Sequence, residues 1–440
     1  MSARRLFSLL LLLSLCQPLY AGETAVIRGT VLDAQSGKPI AAAIVTLQQH
    51  SVLSDNDGAF TLMATAARTI GARATGYGRS NIRLPDDRSQ PLTLRLIPFK
   101  PKALYLSFYG IGSRILRGAA LDLLQQTELN ALVIDVKGDR GMLPYRSQIA
   151  LAAEIGAQRI ITVRDMPQLM AELHNQGIYL IARIVVFKDD LLADAHPQWA
   201  VKTAAGQPWQ DREQLSWVDP FQHEVWAYNL DIAEEAAALG FDEIQFDYLR
   251  FPDTLGLTFS QPNTEANRVQ AINGFLAAAR QRLTPYNVFL AADIFGYVSW
   301  NSNDTFIGQQ LEDMVLLTDY LSPMLYPSGF QFGIPGYRDP VAHPQEIVAL
   351  SLHRARERSG VTSTRFRPWL QAFRDYAFDR RTFGATEIRQ QINAAEQFGS
   401  DGWMLWNPRN SYSAMGLKDK RGKLIVAPEA DAAAPADTGK

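Results

Sequence analysis

Two aspartates carry the chemistry that this chain offers. Asp247 lies within the apolar run FDEIQFDYLRFP (Phe241 to Pro252), and Asp293 within VFLAADIFGY (Val288 to Tyr297). Both runs have the β-branched and aromatic content of strands covered on both faces. A lone carboxylate buried there is costly, so each needs a partner or a task. Two carboxylates facing one pocket suit cleavage of a glycosidic bond. One is protonated to help the leaving oxygen depart; the other is ionised to attack carbon or activate water. Each negative charge raises the proton affinity of the other and splits the two titrations.

The elements that must bring these residues together are repetitive. From Pro101 onward, KALYLSFYG, ALVIDVKG, IYLIARIVVF, FDEIQFDYLRFP, VFLAADIFGY, DYLSPMLYP, RFRPWLQAF and DGWMLWNP are eight strand-like runs. Between most of them lie segments with helical spacing of apolar residues, such as ILRGAALDLLQQ, MPQLMAELHNQ and TEIRQQINAAEQFG. Gly177, Gly240 and Gly399 stand where such helices stop, just before a strand. The rhythm predicts an α/β fold, a (β/α)8 TIM barrel, in which active sites form at the C-terminal ends of the strands.

Side chains alternate along a strand, so parity sorts barrel-facing from helix-facing positions. On the fourth barrel strand Glu243, Gln245 and Asp247 share the inward parity, with Asp247 at the mouth and Glu243 deep enough to be a structural ion-pair member. Asp293 is inward on the fifth. These two are the candidate catalytic residues. The same test adds candidate substrate contacts: Asp135 and Lys137 on strand two, Arg183 on strand three, Tyr326 on strand six and Gln371 on strand seven. Trp403, Trp406 and Asn407 come from strand eight, and Arg250 follows strand four. Alternative roles stay open. Asp135 and Lys137 can pair across the barrel top, Arg183 can serve a carboxylate, and Arg250 can cap the rim. Because Trp403 and Trp406 alternate with Met404 and Leu405, at least one of the two is core. The long segment Lys188 to Phe221 carries Trp199, Trp209 and Trp217, as one wall of a cleft or as anchors of the loop.

Composition narrows the function classes. The chain has 440 residues, 47% hydrophobic and 20% charged, with a formal net charge of −2. Without a basic stripe, no nucleic-acid partner is expected. Six histidines, scattered over helices, loops and another domain, make no compact ligand set, so no metal or other cofactor is expected and a metal-dependent deacetylase is disfavoured.

Residues 1–21 read as a signal peptide. Arg4 and Arg5 precede an apolar run, Leu6 to Leu15, too short to span a bilayer, and Ala21 suits cleavage. A periplasmic or secreted location follows. The single cysteine, Cys16, follows Leu13-Ser14-Leu15 in an approximate lipoprotein pattern, so lipid attachment to an outer membrane is the alternative. Residues 22–100 read as a small all-β domain: VIRGTVLD, AAIVTLQQ, GAFTLMA, RTIGARATGY and PLTLRLIPF alternate, separated by turns such as SGKP and SDNDG. Residues 101–415 hold the barrel, and residues 416–440, ending APEADAAAPADTGK, are expected to be disordered.

Two resemblances attach to these motifs. GTVLD, GKPIAAAIV and DNDGAF resemble the carboxypeptidase regulatory-like domain, a transthyretin-like β-sandwich. NALVIDVKGDRG, HPQWAVKTAAGQPW, FDYLRFP, AADIFG, DYLSPMLYPSGF and GWMLWNP resemble the glycoside hydrolase family designated domain of unknown function 4015, over Lys102 to Tyr412. That resemblance implies a barrel glycosidase acting on a poly- or oligosaccharide. It makes Asp247 the nucleophile or base and Asp293 the proton donor. The competing expectation is a non-catalytic carbohydrate-binding barrel.

Overall fold

The computed structural model describes residues 26–88 and 90–426. The signal segment, Cys16 and residues 427–440 lie outside them.

Seven strands form the N-terminal domain: β1 (Val26–Asp33), β2 (Ile44–Leu47), β3 (His50–Leu53), β4 (Ala59–Met63), β5 (Thr69–Arg73), β6 (Ser80–Arg83) and β7 (Leu92–Leu96). They make two sheets, in the orders β4-β1-β7 and β3-β2-β5-β6, closed over Val31, Val45, Leu47, Ile70 and Leu94. β3 and β6 were not among the expected runs. Neither shows an apolar alternation strong enough to read, because both hold sheet edges and stay largely exposed.

Eight further strands close a barrel: β8 (Lys102–Leu106), β9 (Ala131–Lys137), β10 (Tyr179–Val185), β11 (Glu243–Asp247), β12 (Phe289–Phe295), β13 (Tyr320–Met324), β14 (Trp369–Gln371) and β15 (Trp403–Trp406). All neighbours are parallel and sequential, with β15 returning to β8. The expected helices occupy Arg114–Gln126, Met166–Asn175, His223–Ala238, Glu265–Leu283, Pro344–Ser359 and Ala385–Phe398. A further helix, Leu311–Leu317, is too short to have shown helical spacing. Among the described residues no helix is long and apolar enough to cross a membrane.

The barrel interior is a packed layer, not a pore. Small residues (Ala103, Ala131, Ala291) make room for Tyr105, Tyr179, Phe289, Tyr320 and Trp369. At the floor, Arg367 is wholly buried between Glu243 and Asp401 and lies over the Tyr320 ring at 4.0 Å. Glu243 is therefore the structural ion-pair member that its depth predicts. At Gly402, φ is 83° and a Cβ would stand 1.8 Å from the Pro101 carbonyl, so only glycine can start β15 there.

The β-sandwich covers the barrel floor, opposite the mouth. Asn287, just before β12, donates to Ser80 O at 3.1 Å, and Arg79 pairs with Asp242 at 3.0 Å. A Cβ on Gly71 would come within 2.5 Å of the Asn287 amide, so the approach of the two domains depends on its absence. Residues 416–426 correct the expectation of disorder. Lys418 pairs with Leu424, Asp419 bridges to Thr127, Arg389 of the Ala385–Phe398 helix donates to Gly416 O at 2.7 Å, and Leu417 is fully buried. Only the polar end of the tail has the composition of a solvated segment, and that end lies outside the described residues.

Candidate active site

β11 and β12 run in register, Phe246 beside Ala292, so Asp247 and Asp293 are the next residues up on adjacent strands. Both face the barrel axis and both are buried.

Asp247 is held by three donors. Its Oδ2 accepts from Arg183 Nε at 2.9 Å and Nη2 at 2.6 Å, and its Oδ1 from the Tyr248 amide at 2.6 Å. The latter contact uses an unusual backbone: Tyr248 has φ 47°, a left-handed conformation that costs a tyrosine about 1–3 kcal/mol. Arg183 turns its other arm to Asp135 at 2.6 Å, and Tyr105 donates its hydroxyl to Asp135 at 2.6 Å. Burial favours the neutral form of Arg183, but Asp135 and Asp247 overcome it and hold the guanidinium charged. Arg183 is thus the charge partner of two carboxylates, not a free substrate contact.

Asp293 is different. Its Oδ1 accepts from Trp369 Nε1 at 2.7 Å, while its buried Oδ2 has no hydrogen-bond partner among the described residues. Burial, then the negative charge of Asp247, push this carboxyl well above the usual carboxylate range; Arg183 and Trp369 oppose them with less effect. The site therefore joins one carboxyl gripped by a guanidinium and a second, of raised proton affinity, with one oxygen free.

Aromatic rings frame the pair. Trp406 stacks on Tyr105 at 3.9 Å, and Arg183 lies over Trp406 at 4.9 Å. Tyr326 packs on Phe373 at 5.5 Å, and its phenol is pushed well up by burial and then by the charges of Asp293 and Asp247, which places it at the same mouth. Arg250 lies over the rings of Trp217 at 4.9 Å and Tyr248 at 5.3 Å, on the rim.

Four other candidates leave the pocket. The register shifts between Arg183 and Ile184, so Lys137 stands opposite Ile184, a residue of the helix-side core. There it forms a wholly buried pair with Asp189 at 2.5 Å, over the Tyr228 ring, rather than pairing with Asp135. Trp403 is fully buried in the helix-side core, while its neighbour Met404 faces inward; of the two strand-eight tryptophans it is the structural one. Gln371 is fully buried and committed to Ser328, donating to its hydroxyl at 2.7 Å and accepting from its amide at 3.0 Å. Asn407 ties its own loop, donating to Ala372 O at 2.7 Å and Ser411 O at 2.8 Å. The insertion tryptophans act as anchors. Trp217 is buried and donates to Asp211 at 3.0 Å, and Trp199 and Trp209 pack half-buried on the core.

Tyr105 and Trp369 join the site without having been singled out. The parity that selected Asp135 and Gln371 applies to both, since each lies inward, Tyr105 near the tip of β8 and Trp369 at the start of the short β14. No metal-binding group of three or more His, Cys, Asp or Glu occurs among the described residues.

Comparison with known proteins agrees with this architecture. Residues 26–97 match the carboxypeptidase regulatory-like domain. None of the curated proteins compared matches the chain. Among solved structures, the PgaB (BpsB) glycoside hydrolase domain from Bordetella bronchiseptica aligns over 71% of this chain and 95% of its own, with a TM-score of 0.52 and 14% identity, a likeness of fold alone. A hypothetical protein from Ruminiclostridium thermocellum is 39% identical over 43% of this chain and 96% of its own, with a TM-score of 0.39. Residues 103–412, the barrel with its mouth, match the family described as "putative glycosyl hydrolase domain", and to that family the chain belongs.

Proposed function

We propose that this protein is an exported glycoside hydrolase that cleaves a polysaccharide of the cell envelope or surroundings by a two-carboxylate mechanism. The observation that carries the reading is the unpartnered, buried Oδ2 of Asp293, on a carboxyl whose proton affinity burial and neighbouring Asp247 raise. With Oδ1 accepting from Trp369, the acidic proton belongs on Oδ2. From there it passes to the glycosidic oxygen as the bond to the anomeric carbon breaks. Asp247 bears the negative charge that answers the developing positive charge at that carbon, either by attacking it or by taking a proton from water. Arg183 orients it and Asp135 orients Arg183. Trp406 and Tyr326 offer rings against which a sugar can lie, and Arg250 stands at the entrance.

The second reading is a barrel that binds glycans without cutting them. The grip of Arg183 on Asp247 Oδ2 favours it, since a lone pair engaged twice is a poor nucleophile.

The test is product release from peptidoglycan, exopolysaccharides and α- and β-glucans by the purified protein and by Asp247→Asn and Asp293→Asn. The hydrolase reading expects products from wild type, loss of turnover in both variants, and retained glycan binding. Wild-type binding with no products from any glycan it binds would establish the second reading instead.

A further inference from the structure

Away from the mouth, the β-sandwich and the barrel floor enclose an open cleft of about 810 Å³. Its size is that of a ligand site, and domain junctions are where such sites occur. Its walls come from β2, β3 and β5 on one side and from segments preceding β12, β13 and β14 on the other.

The charges in this cleft do not balance. Arg73, Arg280 and Arg365 line it together with a single carboxylate, Asp319. Arg280 and Arg73 both bind Asp319, at 2.7 and 3.4 Å. Arg365 meets only backbone carbonyls, those of Val315, Thr318 and Asp319. Donors remain uncommitted. Arg73 uses Nε and Nη1, on Asp319 and Asn287, and Arg365 uses Nε and Nη2, so Nη2 of the first and Nη1 of the second have no acceptor among the described residues. Burial lowers the proton affinity of Arg73 and Arg365, Asp319 restores part of it, and repulsion from Arg280 removes more. Three guanidinium groups around one carboxylate in a partly desolvated cleft gain from a second anion. The remaining lining suits a sugar: hydroxyls of Ser51, Thr75, Thr284, Thr362 and Thr364, with exposed Leu53 and Leu316 at the edge.

We propose that this cleft is a second, non-catalytic site that binds the carboxylate or phosphate groups of an acidic glycan. The guanidinium groups of Arg73, Arg280 and Arg365 take the anion, and the surrounding hydroxyls take the sugar. Such a site would hold the enzyme on a charged polymer by its floor while the mouth stays open. It gives the β-sandwich a role in binding that its own surface does not show, and it does not depend on the catalytic reading.

The experiment is calorimetric titration of the full chain at roughly 0.15 M salt, where exposed charges more than about 8 Å apart are screened. The probes are oligogalacturonate for the carboxylate, poly(glycerol phosphate) for the phosphodiester, and neutral maltoheptaose as control. One anionic probe is expected to bind at least about tenfold tighter than the control. Which one binds tells carboxylate from phosphate. Ser51→Glu and Thr362→Glu, both at exposed positions, place a repelling charge in the cleft without removing an arginine. Each is expected to weaken that binding at least about tenfold, by like-charge opposition, with melting temperature unchanged. Equal weak binding of all three probes would overturn the proposal, and so would tight anionic binding that neither variant affects. Because binding is read without turnover, a catalytically inactive protein that still binds in the cleft would count against the hydrolase reading only.

Discussion

Asp247 and Asp293 end adjacent parallel strands, and the charge of the first is the largest influence, after burial, raising the proton affinity of the second. The two acids therefore divide their duties by environment. One has Arg183 on it and the other has only a tryptophan N–H, so the second holds a proton more readily than an ordinary carboxyl does.

This division has a pH signature. On the proposed assignment Asp293 acts in its protonated form, so turnover is expected to fall as pH rises through its elevated pKa. Stability follows the same sign: a carboxyl whose folded pKa is raised stabilises fully below its unfolded value, about 3.9, and loses that contribution as pH climbs through the folded one. In Asp247→Asn the charge that raises it is gone, so the Asp293 titration moves to lower pH. In Trp369→Phe an opposing hydrogen bond is gone, so it moves higher. Carbon-13 NMR of labelled aspartate measures both, and a shift in the same direction for the two variants would refute this assignment of causes.

If Asp293 is the proton donor proposed above, removing its acid should remove turnover. Asp293→Asn keeps shape and the Trp369 contact but has no acidic proton, so kcat is expected to drop by about 10²–10⁴, the usual worth of general acid catalysis. KM should change little, because neither binding ring moves. A kcat within twofold of wild type would mean that the proton comes from elsewhere.

Arg183 is expected to be the costliest single residue of the mouth. Arg183→Met leaves Asp135 and Asp247 buried without a counter-ion, a change worth about 3–5 kcal/mol of stability in denaturant unfolding. Arg183→Met combined with Asp135→Asn should recover part of that loss. An unaltered Arg183→Met midpoint would show that solvent reaches these carboxylates.

At the other end of the barrel, Asp319 ties the two domains. Burial raises its carboxyl, yet Arg280 and Arg73 overcome this and hold it at about 2. A depressed folded pKa means stability present above the unfolded value and lost as pH falls, here between about 4 and 2. At ~1.36 kcal/mol per unit this amounts to about 3 kcal/mol. Asp319→Asn should lose about that much at pH 7 and unfold with a flatter acid limb. An acid limb identical to wild type would assign the interface to packing alone.

Residues 416–426 are expected to matter for stability although they lie beyond the last strand. Leu417→Ala removes a fully buried side chain and should cost about 2–5 kcal/mol by thermal unfolding. A cost below about 0.5 kcal/mol, the range of surface changes, would return this segment to the disordered tail.

Strand parity was legible in the chain, because alternation is a property of the backbone. It places Asp247, Asp293, Asp135, Arg183 and Trp406 at the mouth, Glu243 below them, and it would have admitted Tyr105 and Trp369. Where it misled, a non-local event intervened. The shifted register of β9 against β10 carries Lys137 to Asp189, and pairing geometry of that kind depends on the neighbouring strand. Gln371 keeps its inward parity, but Ser328 and Phe373 use up its polar atoms, and Asn407 is spent on its own loop. The burial of Leu417 depends on a helix surface that exists only after the barrel closes. Parity reads the two aspartates alike and only the family resemblance gave them different roles; the physical difference comes from tertiary structure, which puts Arg183 on one and leaves the other an unpartnered oxygen.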